Sequence, residues 1–251
     1  MNSTKLISII TPCYNSEQLI DFTIRSVLDQ TYCNWELILV NDGSSDNTRS
    51  IIESYAQNDD RIIVFHMETN QGIAAARNVG VKLASGNFIS FLDSDDIWDS
   101  RKLQRQLSFM EENNYFFSHT AYRKIDRTGH IISKIISVSN YVDYNSLLKH
   151  NEIGCLTAMY NVDVLGKYYF KNIGHEDFAC WLQILKNNRQ SYGLNEPLAF
   201  YRVHSNTVSS NKLKVVKYTW HIYRTFEKLS IFKSGYYFVH YVINSFIKYL
   251  R

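Results

Sequence analysis

An α/β fold with a mostly parallel central sheet flanked by helices is predicted by two observations. Apolar segments typical of buried strands alternate four times with segments that carry apolar residues at helical spacing, within residues 6–92. Polar, turn-rich loops follow the strands of this region. Because ligands bind beyond the carboxyl ends of the strands in such sheets, we expect these loops to share one edge and to form the functional site.

The first two strands are expected at residues 6–10 and 35–40. Pro12 should end the first strand, because proline cannot continue a central hydrogen-bond ladder. A helix should then begin at about Ser16, and a second helix should follow the polar loop Asn41–Asp46. Both loops therefore lie where a parallel sheet places its ligands.

The third strand is expected at residues 62–65, followed by a tight turn at Asn70–Gly72. An alanine-rich helix over residues 73–83 should end at Gly86, the position where helices commonly place a glycine. The fourth strand, residues 88–92, is apolar and stops abruptly at a cluster of acids.

Three carboxylates, Asp93, Asp95 and Asp96, follow the fourth strand directly. Clustered carboxylates repel one another unless a cation lies among them, and their oxygens suit Mg²⁺ or Mn²⁺ shared with phosphate. The alternative is an acidic loop that only caps the next helix, for which Asp99 and Ser100 are also available. For Asp96, support of the site and capping of the helix both stay open.

The second half of the chain departs from simple alternation. A helix around residues 103–110 precedes two strands at 115–122 and 130–136, which a turn at Thr128–Gly129 should join. The remaining expected elements are a helix that opens at Gly174–Asp177, a last strand at 197–202, and two amphipathic helices from Lys212 with a break near Ser234–Gly235.

Composition and charge limit the classes of protein. The four cysteines show no CxxC pair and no metal-ligand spacing, so we expect free thiols in a reducing compartment and no zinc site. A signal peptide and an apolar run of membrane-spanning length are not found, which predicts a cytoplasmic protein. Residues 211–251 hold eight basic residues against the single acid Glu227, a net charge of +7, whereas residues 1–210 carry −4. This asymmetry predicts two different partners.

Five motifs follow one another along the chain: Ile10–Asn15, Val40–Asp46, Asn70–Gly72 with Ala76–Asn78, Phe91–Asp96, and His175–Asp177. Each is weak alone, but together and in this order they resemble the family-2 inverting glycosyltransferases. The resemblance implies a GT-A type nucleotide-diphospho-sugar transferase fold. It also implies a catalytic domain over residues 1–210, with a nucleotide-sugar half of about 1–97 and an acceptor half of about 98–210, before a basic aromatic helical segment at 211–251.

For the nucleotide, the resemblance implies that Asp42 accepts a hydrogen bond from uracil. The residues that it places around the base and ribose are Thr11, Pro12, Tyr14 and Glu17. Gly72 would let the backbone approach the nucleotide closely, and Arg77 would meet a phosphate or the sugar. The alternatives are an ordinary turn residue at Asp42 and a solvated helix position at Arg77.

For the metal and the diphosphate, the resemblance matches Asp93 and Asp95 to the DxD motif of the family. Asp95 would bind Mn²⁺ or Mg²⁺ directly, Asp93 would divide its contacts between ribose and metal, and Ser94 between them would lie in the nucleotide-sugar site. Arg202 and His204 match late residues that close over the diphosphate. His204 is either a metal or phosphate ligand or a structural histidine.

For the acceptor, Asp177 matches the general base of the family, which takes the proton of the attacking hydroxyl. Glu176 would orient the acceptor, although both acids could merely occupy the first turn of a helix. Trp181 either stacks on an acceptor sugar or, as its spacing with neighbouring apolar residues favours, packs in the core. The role of His175 is left open.

Residues 211–251 interleave basic and aromatic residues on amphipathic helices, which suits peripheral binding to the inner face of an anionic cell membrane. Alternatively, these aromatics pack on the catalytic domain or on a second subunit in a homodimer. Nucleic acid is not an expected partner, because no recognition motif is present. By resemblance to small bacterial members, we expect a UDP-glucose or UDP-galactose donor and a lipid-pyrophosphate-linked acceptor, N-acetylglucosamine on undecaprenol, in polysaccharide repeat-unit synthesis.

Two other functions compete with this interpretation. A NAD-dependent oxidoreductase should carry GxGxxG after its first strand, where this chain has Thr11–Asn15. A carbohydrate-binding or scaffold protein could keep the fold and lose the chemistry. The complete set of acids expected for transfer counts against that second alternative: Asp42, Asp93, Asp95 and Asp177.

Overall fold

The computed structural model describes residues 4–187, 189–203 and 212–250. Its strands are β1 (Ile7–Cys13), β2 (Trp35–Asn41), β3 (Ile62–His66), β4 (Phe88–Phe91), β5 (Ile97–Trp98), β6 (Phe117–Ile125), β7 (Tyr141–Asp143), β8 (Met159–Asn161) and β9 (Gln190–Arg202). They form one sheet of order β3-β2-β1-β4-β8-β6-β9-β5, with β7 paired to β9. The predicted α/β fold with a central sheet is confirmed.

Helices lie on both faces of this sheet. They are α1 (Ile20–Leu28), α2 (Thr48–Ala56), α3 (Ile73–Leu83), α4 (Lys102–Asn113), α5 (Tyr144–Lys149), α6 (Val162–Leu165), α7 (Glu176–Leu185), α8 (Lys212–His221) and α9 (Ile231–Leu250). Single helical turns occur at Cys155–Thr157, of 3₁₀ type, and at Ile222–Phe226, of π type.

The first four strands are parallel, as the alternation of strands and helices predicted. Every residue of β1 and β2 is buried, because both faces of these strands are covered. Alternate side chains enter two different cores: Ile9 and Leu37 lie in one, and Ile10 and Ile38 in the other. This packing holds the carboxyl ends of β1, β2 and β4 on one edge of the sheet.

Three local predictions in this half are corrected. Strand β1 continues through Pro12 to Cys13, because pairing with β4 stops at Ile10 and only the β2 side needs a ladder there. Helix α1 begins at Ile20 rather than Ser16, whose carbonyl instead closes a turn. Gly86 does not adopt a left-handed conformation. It is needed because a Cβ would lie 2.7 Å from the Leu6 carbonyl oxygen.

The second half of the sheet is mixed. Strand β8 pairs antiparallel with β4 and β6, while β6 runs parallel to β9. The turn predicted at Thr128–Gly129 is present, with a left-handed Gly129. The strand predicted over residues 130–136 is not formed, because Ile131 and Ile136 make only isolated bridges to β6.

The C-terminal helices pack on the body of the protein. Ile222 and Tyr223 are fully buried in the same core as Phe178 and Trp181 of α7. The predicted helix break at Ser234–Gly235 is wrong, since these residues lie inside α9. The break falls at residues 227–230, where Lys228 is left-handed and the Ser230 hydroxyl accepts the Lys233 amide hydrogen. In the part of the chain that the structure describes, no helix has the length and apolarity to cross a bilayer.

Candidate active site

Hydrogen bonds join the loops at the carboxyl edge of the sheet. The Asn15 amide after β1 donates to the Ser44 hydroxyl after β2, at 3.0 Å. The hydroxyls of Ser16 and Ser94 lie 2.8 Å apart, which connects the β1 loop to the acidic loop after β4. The predicted convergence of these loops on one edge is therefore confirmed.

Asp42 fixes the turn in front of α3. Its two carboxylate oxygens accept the backbone amide hydrogens of Gln71 and Gly72, at 2.7 and 2.9 Å. Gly72 has a φ of 90°, and no described atom lies within 4 Å of the position that a Cβ would take. The backbone at this turn is thus open to a ligand, and each oxygen of Asp42 keeps an acceptor lone pair for a base N–H.

The other residues expected around a nucleotide differ in exposure. Thr11 and Pro12 are buried, and the Thr11 hydroxyl has no hydrogen-bond partner among the described residues. The Tyr14 ring is half exposed beside them. Glu17 accepts hydrogen bonds from the backbone and side chain of Asn47, so it braces the start of α2. Tyr14 is therefore the residue of this group that is free to contact a ring.

A buried contact with the end of β9 fixes the conformation of the acidic loop. Asp96 is buried, its carboxylate accepts the Arg202 amide hydrogen at 2.7 Å, and it caps no helix. Burial, together with the charges of Asp95 and Asp93, raises the pKa of Asp96 well above its ordinary value. The charges of Asp93 and Asp95 thus act on Asp96, so the three acids form one interacting cluster at the end of β4.

Arg202 contacts the acidic loop through the main chain. Its guanidinium donates to the carbonyl oxygens of Asp95, Asp126 and Arg127, at 2.7 to 3.0 Å, and the residue is buried. Through these contacts Arg202 positions the acidic loop, and the contact with the diphosphate that the sequence suggested stays a prediction. The second residue of that expectation, His204, lies outside the described residues.

Arg77 connects the acidic loop to helix α7. Its Nη2 donates to Asp93 at 2.6 Å and its Nη1 donates to Glu176 at 2.9 Å. The side chain is almost completely buried, so it is not the solvated helix residue that was the alternative. Burial opposes its charge, but the carboxylates of Asp93 and Glu176 raise the pKa of Arg77 well above its ordinary value. Sequence reasoning missed this bridge, because its two carboxylates are far apart in the chain.

Asp177 lies in the first turn of α7, next to Glu176. Its carboxylate accepts the Phe178 amide hydrogen at 2.7 Å. Burial and the charge of Glu176 raise the pKa of Asp177, against the opposing effects of His175 and Arg77. A carboxylate with a raised pKa is a stronger base than an ordinary one, which suits proton abstraction near neutral pH.

The acids after β4 and at the start of α7 belong to one connected group. Arg77 donates to both Asp93 and Glu176, and Asp177 is the next residue after Glu176. Burial raises the pKa of the nearby Cys155 thiol, Arg77 lowers it, and the charges of Asp93, Asp177 and Glu176 raise it. The site predicted from separate motifs is in this respect a single cluster.

The two residues that precede α7 determine how the helix begins. Gly174 and His175 are both left-handed, with φ values of 68° and 50°. The ring of Tyr218, from α8, lies against Gly174 so closely that a Cβ there would be 2.6 Å from it. His175 also contacts Tyr218, with ring centroids 6.3 Å apart. Tyr218 carried no sequence signal for this role.

Trp181 is corrected as an acceptor residue. It is fully buried, and its indole N–H donates to the Ile153 carbonyl oxygen at 3.1 Å. Core aromatics pack around the ring: the centroids of Phe91 and Phe117 lie 5.9 and 5.4 Å from that of Trp181. The alternative of core packing is therefore the one that the structure supports.

The donor set fits a metal ion that is shared with a nucleotide. Among residues 4–187, 189–203 and 212–250, no three His, Cys, Asp or Glu side chains are grouped to hold an ion by themselves. Mg²⁺ in phosphate-transfer sites is typically bound by one or two carboxylates together with substrate phosphates. Asp95 and Asp93, whose negative charges are felt by Asp96, provide such a pair.

This fold and site define a nucleotide-sugar transferase of the GT-A type. Four parallel strands end at one edge of the sheet, paired acids follow the fourth strand, and carboxylates lie in the first turn of α7. The family model described as "Glycosyl transferase family 2" matches residues 8–168. The chain belongs to this family, as its motifs indicated.

Two curated relatives are similar over almost the whole chain. The chain is 42% identical over 245 residues to the putative teichuronic acid biosynthesis glycosyltransferase TuaG of Bacillus subtilis (strain 168), with 97% of each protein covered. It is 40% identical over 239 residues to the Escherichia coli UDP-Glc:alpha-D-GlcNAc-diphosphoundecaprenol beta-1,3-glucosyltransferase WfgD, covering 95% of this chain and 92% of that protein.

Two solved structures share the fold. S. aureus TarS residues 1–349, in complex with UDP-GlcNAc, matches with a TM-score of 0.70 and 22% identity, over 87% of this chain and 66% of that one. The mannosyltransferase PcManGT from Pyrobaculum calidifontis, in complex with GDP-Man and Mn²⁺, matches with a TM-score of 0.68 and 16% identity, over 90% and 65%. The chain thus spans about two thirds of each structure.

Proposed function

We propose that the chain is an inverting hexosyltransferase that moves glucose or galactose from a UDP-sugar to a lipid-linked saccharide. The acceptor would be N-acetylglucosamine-pyrophosphate-undecaprenol and the new linkage β-1,3, in O-antigen or related polysaccharide repeat-unit synthesis. The name of WfgD, at 40% identity over nearly the full length, supports this substrate pair. The observation that carries the mechanism is the Arg77 bridge between Asp93 and Glu176, which brings donor-side and acceptor-side acids together.

The donor would lie on the carboxyl edge of the sheet. Asp42 would accept the uracil N–H, the Tyr14 ring would cover the base, and Gly72 would let the protein backbone approach the nucleotide closely. Asp95 and Asp93 would hold Mn²⁺ or Mg²⁺ against the diphosphate. When bound, the ion would offset the charge that gathers on the diphosphate as the bond from sugar to phosphate breaks.

Asp177 would act as the general base. An acceptor hydroxyl attacks the anomeric carbon from the face opposite the diphosphate, the carbon–oxygen bond to phosphate breaks, and UDP departs with that electron pair. The hydroxyl proton passes to the Asp177 carboxylate, so an α-linked donor gives a β-glycoside. Glu176, fixed by Arg77 at 2.9 Å, would orient the acceptor.

The proposed roles are assigned to successive segments of the chain. Residues 1–97 would bind the nucleotide sugar and residues 98–210 the acceptor, while the basic segment 211–251 would keep the enzyme at the inner face of the cell membrane, where a lipid-linked acceptor resides. A homodimer is compatible with these roles and is not required by them.

The test is a transfer assay with several UDP- and dTDP-hexoses and N-acetylglucosamine-pyrophosphate-lipid, read by mass spectrometry. The wild type should transfer a hexose, EDTA should stop transfer, and Mn²⁺ or Mg²⁺ should restore it. Asp177→Asn should lose at least about a hundredfold in rate, because general-base catalysis contributes that much. The exposed Asp60→Asn serves as the matched control and should transfer normally.

Turnover by Asp177→Asn at the wild-type rate would remove Asp177 as the base. Undiminished transfer in EDTA would remove the metal ion from the proposal. Failure of all donors with the active-site residues intact would instead argue against the proposed substrate pair.

A further inference from the structure

Helix α9 carries a row of exposed apolar side chains. Phe232, Tyr236, Val239 and Ile243 are 87, 52, 56 and 49% exposed. Their spacing of four, three and four residues places them on one side of the helix. We name these four residues the outer stripe of α9. Single exposed apolar residues are ordinary on a protein surface, but a continuous row of them marks an interaction site.

The opposite side of α9 is fixed to the protein. Ser234 and Tyr241 are buried there, and the Tyr237 hydroxyl donates to Asn145 at 2.8 Å. Asn244 donates to the Lys149 carbonyl oxygen at 3.1 Å, which anchors the helix further along. The outer stripe is therefore held outward by the packing of the inner side, and folding of the described chain does not cover it.

Basic side chains lie near the first half of the outer stripe. Arg224, Lys228 and Lys233 are exposed near the start of α9, and the Lys149 ammonium lies 5.5 Å from the Tyr236 ring. No acid occurs in the sequence from 228 to 251. An apolar row flanked by positive charge is complementary to an anionic lipid surface, which supplies both hydrocarbon and negative phosphate.

A second copy of the chain fits this face less well. Pairing two outer stripes would bring the lysines and arginines of both copies together with no acid from residues 228–251 to offset them. The length and apolarity of α9 also do not allow it to cross a bilayer. A helix of this kind lies in the plane of the membrane interface.

We propose that the outer stripe of α9 is the membrane-docking face and that it inserts into the headgroup region of an anionic bilayer. The inference rests on the proposed function in one respect, since a lipid-linked acceptor supplies the reason for docking. It goes beyond that function by assigning the contact to one side of one helix. The buried Ile222 and Tyr223 of the same segment serve the fold instead.

The experiment uses full-length protein and extruded vesicles of phosphatidylcholine with or without phosphatidylglycerol, read by co-sedimentation. The wild type should bind the anionic vesicles and bind the neutral ones at least about tenfold more weakly. The variant Phe232→Ser/Val239→Ser should bind anionic vesicles at least about tenfold more weakly than wild type. Ile132→Ser, at a residue 56% exposed in the turn after β6, is the matched control and should bind normally. All three proteins should melt alike.

Wild-type binding by the double variant would overturn the proposal. Sedimentation velocity tests the alternative that a second copy covers this face. That alternative would be supported if the wild type were a dimer, the double variant a monomer, and vesicle binding the same in both. Because vesicle binding needs neither donor nor acceptor, it decides the docking face even if the transfer assay fails. Loss of transfer to a vesicle-embedded acceptor, with transfer to a short-chain soluble acceptor retained, would support the proposal.

Discussion

His119 is buried in the folded protein without enough hydrogen bonds to replace its water, so it binds a proton less readily than in the unfolded chain. The ring is completely buried, its Nδ1 bonds the Ser191 hydroxyl at 2.8 Å, and its Nε2 has no hydrogen-bond partner among the described residues. Glu152 is 4.0 Å away, too far to relieve the loss of water. Burial therefore lowers the pKa of His119 from 6.5 to about 3.

His119 should make stability fall in acid. Below pH 6.5 the unfolded chain protonates this histidine, whereas the folded protein does so only near pH 3. The contribution of His119 to the free energy of unfolding is therefore fully present above pH 6.5 and is lost as the pH falls below it. The loss is about 1.4 kcal/mol per pH unit. Urea unfolding at pH 6.5 and pH 4 should show His119→Gln losing about 3 kcal/mol less than wild type.

The exposed His130→Gln is the matched control for this experiment, since its ring loses little water on folding. Parallel acid-destabilisation curves for wild type and His119→Gln would contradict the assignment. The same residue-scale argument explains what sequence could and could not show: the identity of a histidine is printed, but its burial depends on which strand β6 meets.

At the scale of elements, helix α7 depends on an unusual start. Two consecutive left-handed residues, Gly174 and His175, turn the chain so that Asp177 enters the first helical turn. Left-handed φ values are disfavoured for residues with a Cβ, so outside support is needed. Tyr218 of α8 supplies that support by filling the space beside Gly174.

Gly174→Ala should therefore damage both fold and site. An added Cβ would meet the Tyr218 ring at 2.6 Å as well as the φ of 68°, so we expect at least about 1 kcal/mol of destabilisation. The displaced turn should lower kcat for transfer more than it raises the KM for the donor, because it carries Asp177, the proposed base. Thermal melts and steady-state kinetics measure the two effects.

Gly129→Ala separates backbone strain from steric collision, since Gly129 also has a positive φ, of 94°, but open space around it. This control should lose stability through backbone strain and should keep the wild-type kcat. Adding Tyr218→Ala to Gly174→Ala should recover part of the lost stability by removing the collision. Equal kcat losses in the two alanine variants would argue against a steric effect of Tyr218 on the turn that carries the proposed base.

Elements with both faces buried were predictable, and short ones were not. Strands β1, β2 and β4 read as continuous apolar runs because both of their faces are buried, and Ile73–Leu83 was predicted to the residue. Strands β7 and β8 have three residues each, too few to show a pattern. Strand β9 contains Gly193 and Pro197, which hid all but its last part.

The same limit applies to the candidate site. Asp42, Asp93 and Asp177 could be proposed because each stands in a recognisable motif. The Arg77 bridge could not, because its partners are 16 and 99 residues away and only the folded chain brings them together. Contacts of this kind depend on where the tertiary fold places α3, the loop after β4 and the start of α7, which local propensity does not encode.

At the scale of the whole molecule, the inner side of the C-terminal segment packs in the core and the outer side is exposed. Its inner side completes the core, where Tyr223 contacts Phe178 with ring centroids 6.3 Å apart and Tyr241 contacts the same ring at 6.1 Å. Its outer stripe is the proposed membrane contact. Deleting residues 211–251, a natural first test of membrane binding from the sequence alone, would therefore remove structure together with docking.

A chain ended at residue 211 should fail to unfold cooperatively. It would lose the buried side chains of Ile222, Tyr223 and Tyr241, each worth about 1.5–3 kcal/mol of burial, against a typical total stability of about 5–15 kcal/mol. Calorimetry should show no sharp transition, and a dye that binds exposed apolar surface should fluoresce. Phe232→Ser alters the same segment on its exposed side only, so its transition should stay sharp. A truncated chain that melts like the full-length protein would show that residues 212–251 are an independent appendage.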